Sequence, residues 1–562
     1  MYLDCLVKMP NAPGKLVCQK KGETTYVYYE IDRTYDPDKK YTAPKRVTIG
    51  KCSKDDPEMI QPNENFLRFF PEEALPEEKD RSVRSSCLRI GTFIVIRQLM
   101  KETGVSDILG MYLNPKDLGL FLDLAAYSII SENNAAQYYP DYAYNHPLFT
   151  EGMKIYSDSK VSDFLKSLTV EQSTGFLNEW NSARDHRQKI YISYDSTNKN
   201  CQAGDIEMVE SGNAKDDARL PIFNYSIAFD TNNREPLFYE QYPGSINDVA
   251  QFQFMLDKAK AYGYKKVGFI LDRGYFSRNN IEYMDECGYS FVIMVKGMAS
   301  FVHQLITEHK GSFEEEWACG ISEYGVYGKT IKRKLYATDR KERYFHLYYN
   351  SARASSQKRE LEAQLTEMKR FLLNHTNEKR TFGPSYEKYF YLHYDTDGET
   401  FLFPEDNTRV VSDELKLCGY FCIVTSEKMS AKDAINLYKS RDASEKLFRG
   451  DKSYLDNKSL RVYSDESAAS KIFIEFIALI IRCGMYTHLK DALKKMDQKP
   501  NYMTVPAAIR ELEKIEMVRQ LDDVYRLDHA VTAKQKTILE AFGISAEHVK
   551  YKAANISEEL KR

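Results

Sequence analysis

Polar and apolar positions alternate along the first 60 residues. Tyr26, Tyr28 and Glu30 interleave with Val27, Tyr29 and Ile31, and Val47-Thr48-Ile49 precedes Gly50. This period of two, with turn residues at Pro37 and Asp38, predicts a small β-rich module. A Pro/Glu-rich stretch over 71–80 reads as a linker. Across 85–185 the period lengthens. Leu88, Ile90, Phe93, Ile94, Ile96 and Leu99 form one apolar stripe, and Val161, Phe164, Leu165 and Leu168 another, so this region is predicted helical.

The texture changes at Lys189. Residues 190–195 read as a strand ending at Asp195, and a polar loop follows over 201–221. Strands are predicted at 222–229 and 236–242, turned at 230–233 and closed by Pro243-Gly244. A helix over 249–261 places Phe252, Met255, Leu256 and Ala259 on one face. A strand over 266–271 ends at Asp272, Ser277 caps a helix running to Cys287, and a fifth strand spans 290–295. The order is β-β-β-α-β-α-β. An antiparallel meander followed by right-handed crossovers is the layout of a ribonuclease-H-like core, so the fold class is α/β.

The pattern then breaks. Residues 325–350 are β-rich and basic, 353–373 form a charged helix, and 387–403 return to strand. The core resumes with a strand over 419–425. Ser430 opens a long helix with Asp433 three residues on, and Gly450 suits its end. A second long helix is predicted over 466–493, then a helix near 506–518, a hairpin signal around 524–527 and a helix at 533–542. Six segments result. They are a β-rich module and linker (1–80), a helical region (81–188), the first stretch of the core (189–300), a β-rich insertion (301–415), the second stretch of the core (416–495) and a mostly helical tail (496–562).

Composition narrows the function classes. A chain of 562 residues exceeds what one core supports, so several domains are expected. Lys and Arg number 79 against 82 Asp and Glu, a net charge of −3, which excludes a polybasic disordered protein but not a DNA-binding face. The longest apolar stretch, 472–481, is too short to span a bilayer and carries Glu475, so it reads as a buried helix and no membrane association is expected. No secretion signal is visible at MYLDCLVKMP, and the ten cysteines form no disulfide pattern, which points to a reducing cytoplasm.

Three carboxylates stand at telling positions. Asp195 and Asp272 each follow an apolar strand. In the predicted order those strands can lie side by side, so both would emerge at one end of the sheet, where open α/β sheets bind ligands. The ordinary alternative is that each begins a turn. Glu445 lies on the helix after Ser430. Tyr438, Arg441 and Glu445 recur at i, i+3 and i+7, which puts a phenol, a guanidinium and a carboxylate on one face. The ordinary alternative there is a surface Arg–Glu pair.

The spacing Tyr438-x2-Arg441-x3-Glu445-x6-Lys452 resembles the "YREK" signature of DDE transposases of insertion-sequence family four. Asp272-Arg-Gly-Tyr-Phe and Tyr194-Asp195-Ser-Thr are similar to the blocks around that family's two aspartates. Residues 212–219 and 243–248 resemble its connecting motifs. The resemblance covers about 189–495 and the flanks only in outline. It implies that Asp195, Asp272 and Glu445 are catalytic and hold two Mg²⁺ or Mn²⁺ ions, whose hard character suits oxygen ligands. It implies that Tyr438, Arg441 and Lys452 grip phosphates near the cleaved end. Nicking at the element end would free a 3′-OH, which attacks a second phosphodiester, either on the opposite strand to make a hairpin or in the target. Partners would be double-stranded DNA, both terminal inverted repeats and target, and a second copy in a synaptic dimer. The setting would be a prokaryotic cytoplasm, at the nucleoid. The rivals are a domesticated DNA-binding protein without chemistry and a stand-alone metal nuclease.

Other residues are secondary. The basic run over 329–343, with Lys332, Arg333 and Lys334 at its centre, is either a DNA-tracking surface or a solvated strand face. Arg461 and Lys471 flank the last long helix and are candidate DNA contacts, as are Lys215 and Arg219. The resemblance implies that Trp317 could stack a flipped base, as a tryptophan in this region does in some relatives, although a packed core indole is the plainer expectation. Cys418-x3-Cys422 lacks partners for zinc, and no phosphate-loop motif suggests ATP use.

Overall fold

The chain is described from a computed structural model. It covers residues 2–3, 5–37, 40–54, 56–73, 83–185, 188–201, 206–212, 220–246, 248–295, 299–396, 398–442, 460–497 and 503–561, with backbone alone at 36, 248, 249 and 299. Two compact units emerge. One comprises Met1–Gln98, Tyr138–Tyr156 and Asp491–Arg562, the other Leu99–Gln137 and Ser157–Lys490.

The first unit carries a five-stranded antiparallel sheet in the order Val7–Lys8, Met59–Pro62, Tyr41–Cys52, Thr24–Asp36, Leu16–Lys21. The period-two pattern has its expected result: Val27, Ile49 and Ile60 turn to one face and pack with Val7, Phe66 and Phe70. Asn63 caps the helix Glu64–Phe69 by accepting from the Asn65 and Phe66 amides. The linker expected over 71–80 falls mostly outside the described residues. The tail differs from expectation. Its helix stops at Leu512, and Glu516–Arg519 is instead a strand between Cys87–Arg89 and Tyr525–Leu527. Met517 explains the switch, since it is fully buried and pairs with Leu88. A last helix, Ala546–Lys561, lies beyond the elements that the pattern predicts.

The second unit is mixed α/β and is organised by one large sheet. Its described strands are β1 (Ile190–Asn200), β2 (Ile222–Asp230), β3 (Glu235–Pro243), β4 (Val267–Leu271), β5 (Ser290–Met294), β6 (Gly320–Ile321), β7 (Val326–Arg333), β8 (Arg343–Tyr349) and β9 (Tyr420–Thr425). They lie in the order β6-β7-β8-β9-β5-β4-β1-β2-β3. The meander β1–β3 is antiparallel. β4 then runs parallel to β1, and β5 parallel to β4, as helical crossovers require. β9 returns antiparallel between β5 and β8.

Two sequence expectations need correction. The strand expected to end at Asp195 runs on to Asn200, paired residue for residue with β2. Its last residues, Ser196 to Asn200, are polar yet buried, so hydrophobic periodicity could not mark them. Secondly, the segment 301–415 is not a wholly separate β-rich insertion. Its strands β6–β8 extend the central sheet. The remainder, from helix Ser351–Leu373 to helix Thr408–Leu417, surrounds a small hairpin, Phe390–Tyr394 with Phe401–Asp406, over its own core of Met368, Leu372, Phe382, Tyr389 and Phe401.

Helices cover both faces of the sheet. On one face Phe252 packs edge-on against Phe269 of β4. On the other, Ile435 and Tyr438 of helix Ala431–Ser440 join Ile270, Val292, Tyr348 and Ile423. Helix Asp465–Lys495 buries its whole 472–481 stretch, as its apolarity predicts. No helix among the described residues is long and apolar enough to cross a membrane.

Candidate active site

Strand register brings the two aspartates together. Leu271 of β4 pairs in parallel with Tyr194 of β1, so the next residues, Asp272 and Asp195, stand at the same level one inter-strand step apart, about 5 Å. Side chains alternate along a strand, and aligned residues of parallel neighbours share a face. Tyr194 packs on Phe252 and Tyr275. Asp195 therefore takes the opposite face. Asp272 lies two residues past Ile270, whose side chain joins Ile435 and Tyr438 in one cluster. Both carboxylates thus belong to the face covered by helix Ala431–Ser440. Asp195 Oδ1 also accepts from the Ser196 amide at 2.9 Å. β4 stops before Asp272 because its carbonyl closes a tight turn with the Tyr275 amide.

The helix that delivers the third group is well started. Ser430 Oγ accepts from the Asp433 amide at 3.0 Å. The Arg441 amide bonds to the Tyr438 carbonyl at 3.3 Å, a tightened last turn, and the regular helix ends at Ser440. Arg441 keeps right-handed helical angles, φ −58° and ψ −26°, and the face expected to run on to Glu445 passes beyond the described residues after Asp442. Glu445, Lys452 and Gly450 lie outside the described residues, as do Lys215 and Arg219.

Arg441 points back to the sheet. Its Nη1 lies 3.5 Å from Asp272 Oδ1, with 12% of the Arg441 side chain and 41% of the Asp272 side chain exposed. The guanidinium also sits over the Tyr438 ring, 5.4 Å from its centroid. Tyr438 itself is only 6% exposed and belongs to the core beneath. Two aspartates and an arginine are gathered at one sheet corner. Such a corner can hold a cation between oxygens and orient an anionic group at its rim. Among the described residues, no group of three or more His, Cys, Asp and Glu is arranged to hold a metal ion.

The secondary candidates separate. Lys332 pairs with Glu342 at 2.7 Å, and this hydrogen bond raises the Lys332 ammonium above its usual range. Arg333 pairs with Glu308, while Lys334 is exposed. Arg461 is exposed just beyond β1, where the Leu460 amide donates to the Asn200 carbonyl. Lys471 is 5% exposed, so it is not a surface DNA contact. Trp317 is 94% exposed, not a packed core indole.

Sequence reasoning missed one constellation. Lys199 Nζ and Glu475 Oε2 are 2.9 Å apart, with side chains 0% and 1% exposed. The pair fastens β1, four residues past Asp195, to helix Asp465–Lys495. The available signal was a lone glutamate among nine apolar residues over 472–481.

No curated protein matches this chain. Solved structures similar to it include the piggyBac transposase synaptic complex with hairpin DNA, at 8% identity and a TM-score of 0.33, covering 84% of each chain. The Mos1 transposase paired-end complex with the left transposon end is similar at 13% identity and a TM-score of 0.14, over 40% of this chain and 64% of that one. A pre-cleavage Mos1 transpososome stands at 10% and 0.14, over 41% and 66%. A family model is more decisive: residues 193–481 match the transposase DDE domain. That match spans more than half of the chain and contains Asp195, Asp272, Tyr438 and Arg441, so the chain belongs to the transposase DDE domain family.

Proposed function

We propose that the chain is the transposase of an insertion sequence of family four, built on a ribonuclease-H-like core, and that it cuts and joins DNA at the element's terminal inverted repeats. One observation carries the reading: Asp195 and Asp272 stand level on adjacent parallel strands, on the face that also receives Arg441. The strand order β3-β2-β1-β4-β5 within the larger sheet supports the assignment of the core. The "YREK" spacing supports the family.

Asp195, Asp272 and Glu445 are proposed as ligands of two divalent ions. The donors described, two carboxylates without thiol or imidazole beside them, suit a hard cation such as Mg²⁺ or Mn²⁺. When bound, such ions supply an activated water and neutralise the leaving oxygen. The chain's own residues do the positioning. Arg441, held at the site rim, orients the phosphate beside the scissile one through its fork. Tyr438 supports the guanidinium from below, and Lys452 adds a point charge. Lys332, Arg333, Lys334 and Arg461 extend the DNA path, and Trp317 is free to stack an unpaired base. The 3′-OH released by the first cut attacks a second phosphodiester and expels its 3′ oxygen, so no covalent enzyme–DNA bond is needed. Joining two ends in one event calls for a homodimer, acting at the nucleoid of a prokaryotic cytoplasm.

The test is a supercoiled plasmid carrying the gene's flanking DNA, incubated with the chain and Mg²⁺ or Mn²⁺. Cleavage at the flanks followed by strand joining supports the reading. Binding without cleavage would favour a domesticated DNA-binding protein, and cleavage without joining a stand-alone nuclease.

A further inference from the structure

The N-terminal sheet contains an element that the site above leaves unexplained. Strands Thr24–Asp36 and Tyr41–Cys52 pair along nearly their whole length. Their neighbours are short. Leu16–Lys21 pairs only with residues 24–29, and Met59–Pro62 only with 50–52. Beyond Glu30, whose amide still donates to the Lys15 carbonyl, the two strands run on alone among the described residues, over 31–36 and 41–45, as a ribbon about 20 Å long. Arg33, Tyr35, Thr42, Lys45 and Arg46 are all exposed along it. A two-stranded ribbon without a packed face is marginally stable in water. The chain maintains one nonetheless, anchored at its base by the sheet.

One face of the ribbon has organised chemistry. The cross-strand pairs are Glu30 with Arg46, Arg33 with Pro44 and Tyr35 with Thr42. A register irregularity between Glu30 and Asp32 puts Glu30, Arg33 and Tyr35 on the same side. The Glu30 carboxylate accepts from Arg33 Nε at 2.7 Å and lies 3.5 Å from Arg46 Nη2. Hydrogen bonds from Arg33, helped by the Arg46 charge, hold this carboxyl below its usual range. The Glu30 side chain is nearly covered, at 8%, whereas the two arginine side chains are 64% and 39% exposed. One acid thus aims two guanidiniums outward. The ribbon carries no net charge, with Arg33, Lys45 and Arg46 against Glu30, Asp32 and Asp36, so what it offers a polyanion is the outward aim of its two guanidiniums.

We propose that this ribbon enters the major groove of double-stranded DNA and reads the element ends, with Arg33 and Arg46 on guanine edges. The proposal rests on the transposase reading above. The groove is about 12 Å wide and admits a two-stranded ribbon. Arg33 spends its Nε on Glu30, which leaves its Nη pair to match guanine O6 and N7. Orientation by Glu30 before DNA arrives reduces the side-chain freedom lost on binding. Tyr35 and Thr42, opposite one another nearer the tip, place hydroxyls within reach of backbone phosphates.

The test is selection of duplexes by the full-length chain from a random-sequence library. The wild type should enrich a motif with fixed guanines. Arg33→Ala and Arg46→Ala should each weaken binding to that motif by about 10- to 100-fold and erase the preference at one guanine, while binding to random duplex is largely kept. Arg33→Lys keeps a charge for Glu30 and hence the ribbon's fold, yet should lose the same preference, because a point charge cannot replace a fork. Plasmid nicking by the wild type, measured in parallel, tests the transposase reading separately. A chain that nicks DNA while its three variants enrich the wild-type motif with wild-type affinity overturns the ribbon proposal alone. A wild type that enriches no motif overturns it as well. An unchanged motif, with the variants shifted from dimer to monomer, would make the ribbon a clasp between copies and also overturn the proposal.

Discussion

The Arg441 guanidinium faces the Asp272 carboxylate at 3.5 Å, across the gap between a helix end and a strand end. A fixed cation beside a carboxylate proposed as a metal ligand opposes the metal while favouring a phosphate. Arg441→Ala should therefore tighten Mn²⁺ binding, by about 5-fold for roughly 1 kcal/mol of removed repulsion. The same variant should cut DNA about 100-fold more slowly, because the end is misplaced by about 1 Å. Arg441→Lys should recover little of the rate. Calorimetry with Mn²⁺ and single-turnover cleavage read the two effects separately. If Arg441→Lys cuts at the wild-type rate, the bidentate phosphate role is wrong.

Asp195→Asn and Asp272→Asn should each abolish nicking of supercoiled plasmid in Mg²⁺ or Mn²⁺ and leave duplex affinity within about twofold. Glu445→Gln should behave the same way. The motive is the level register of the two strands. Near-wild-type nicking by any one of these variants would remove that residue from the site.

The ion pairs of the basic run change what its removal should do. Three free cations would contribute about 3 to the log–log salt slope of DNA binding. Lys332 and Arg333 are already matched by Glu342 and Glu308. Replacing Lys332, Arg333 and Lys334 together by Ala should therefore lower the slope by only about 1, the share of Lys334. A drop near 3 would show that DNA displaces both acids.

Breaking the buried pair on one side should be far worse than deleting it whole. Lys199→Met leaves the Glu475 charge in the core and should cost about 3–5 kcal/mol of stability. Lys199→Met with Glu475→Leu should recover most of that loss. Urea midpoints of the two variants decide it: equal midpoints would mean that water reaches the site.

His346 should make the protein sensitive to mild acid. It is fully buried between Thr330 and Thr425, with both ring nitrogens 3.0 Å from a threonine hydroxyl. Burial pushes its pKa down to about 4. The unfolded chain, near 6.5, takes up the proton first. Stability is therefore complete above about pH 6.5 and falls by about 1.4 kcal/mol per unit as pH drops towards 4. His346→Gln should flatten that portion of the profile in denaturant titrations.

What is legible in the sequence follows physical simplicity. β4 and helix 472–481 are almost purely apolar, so period and length suffice. The order of β1–β5 can be read because short turns separate the strands of the meander and helices the rest. The far half of β1 cannot, because Ser196 to Asn200 are polar and their burial depends on partners as distant as Glu475. Helical spacing predicts Arg441 beside the carboxylates, and its Nη1 lies 3.5 Å from Asp272, whereas Glu445 falls outside the described residues. The strands of β7 and β8 are visible in the basic, β-rich run, yet nothing local says which sheet a hairpin joins.

β9 has a consequence for how the molecule is made. It is the last of the nine described strands to leave the ribosome, yet it lies between β5 and β8. Until residue 425 has emerged, two strand edges that are interior in the finished sheet stand raw, each a template for unwanted pairing. The wait is long, because 70 residues of a separately cored subdomain, 350–419, are synthesised first. Late, non-local closure of this kind slows folding and exposes intermediates to aggregation. It also orders the appearance of the site. The nascent chain cannot display the helix that follows β9, and with it Arg441, until the sheet behind it can close. A chain terminated before residue 425 therefore leaves the β5 and β8 edges unpaired and lacks the helix that carries Arg441.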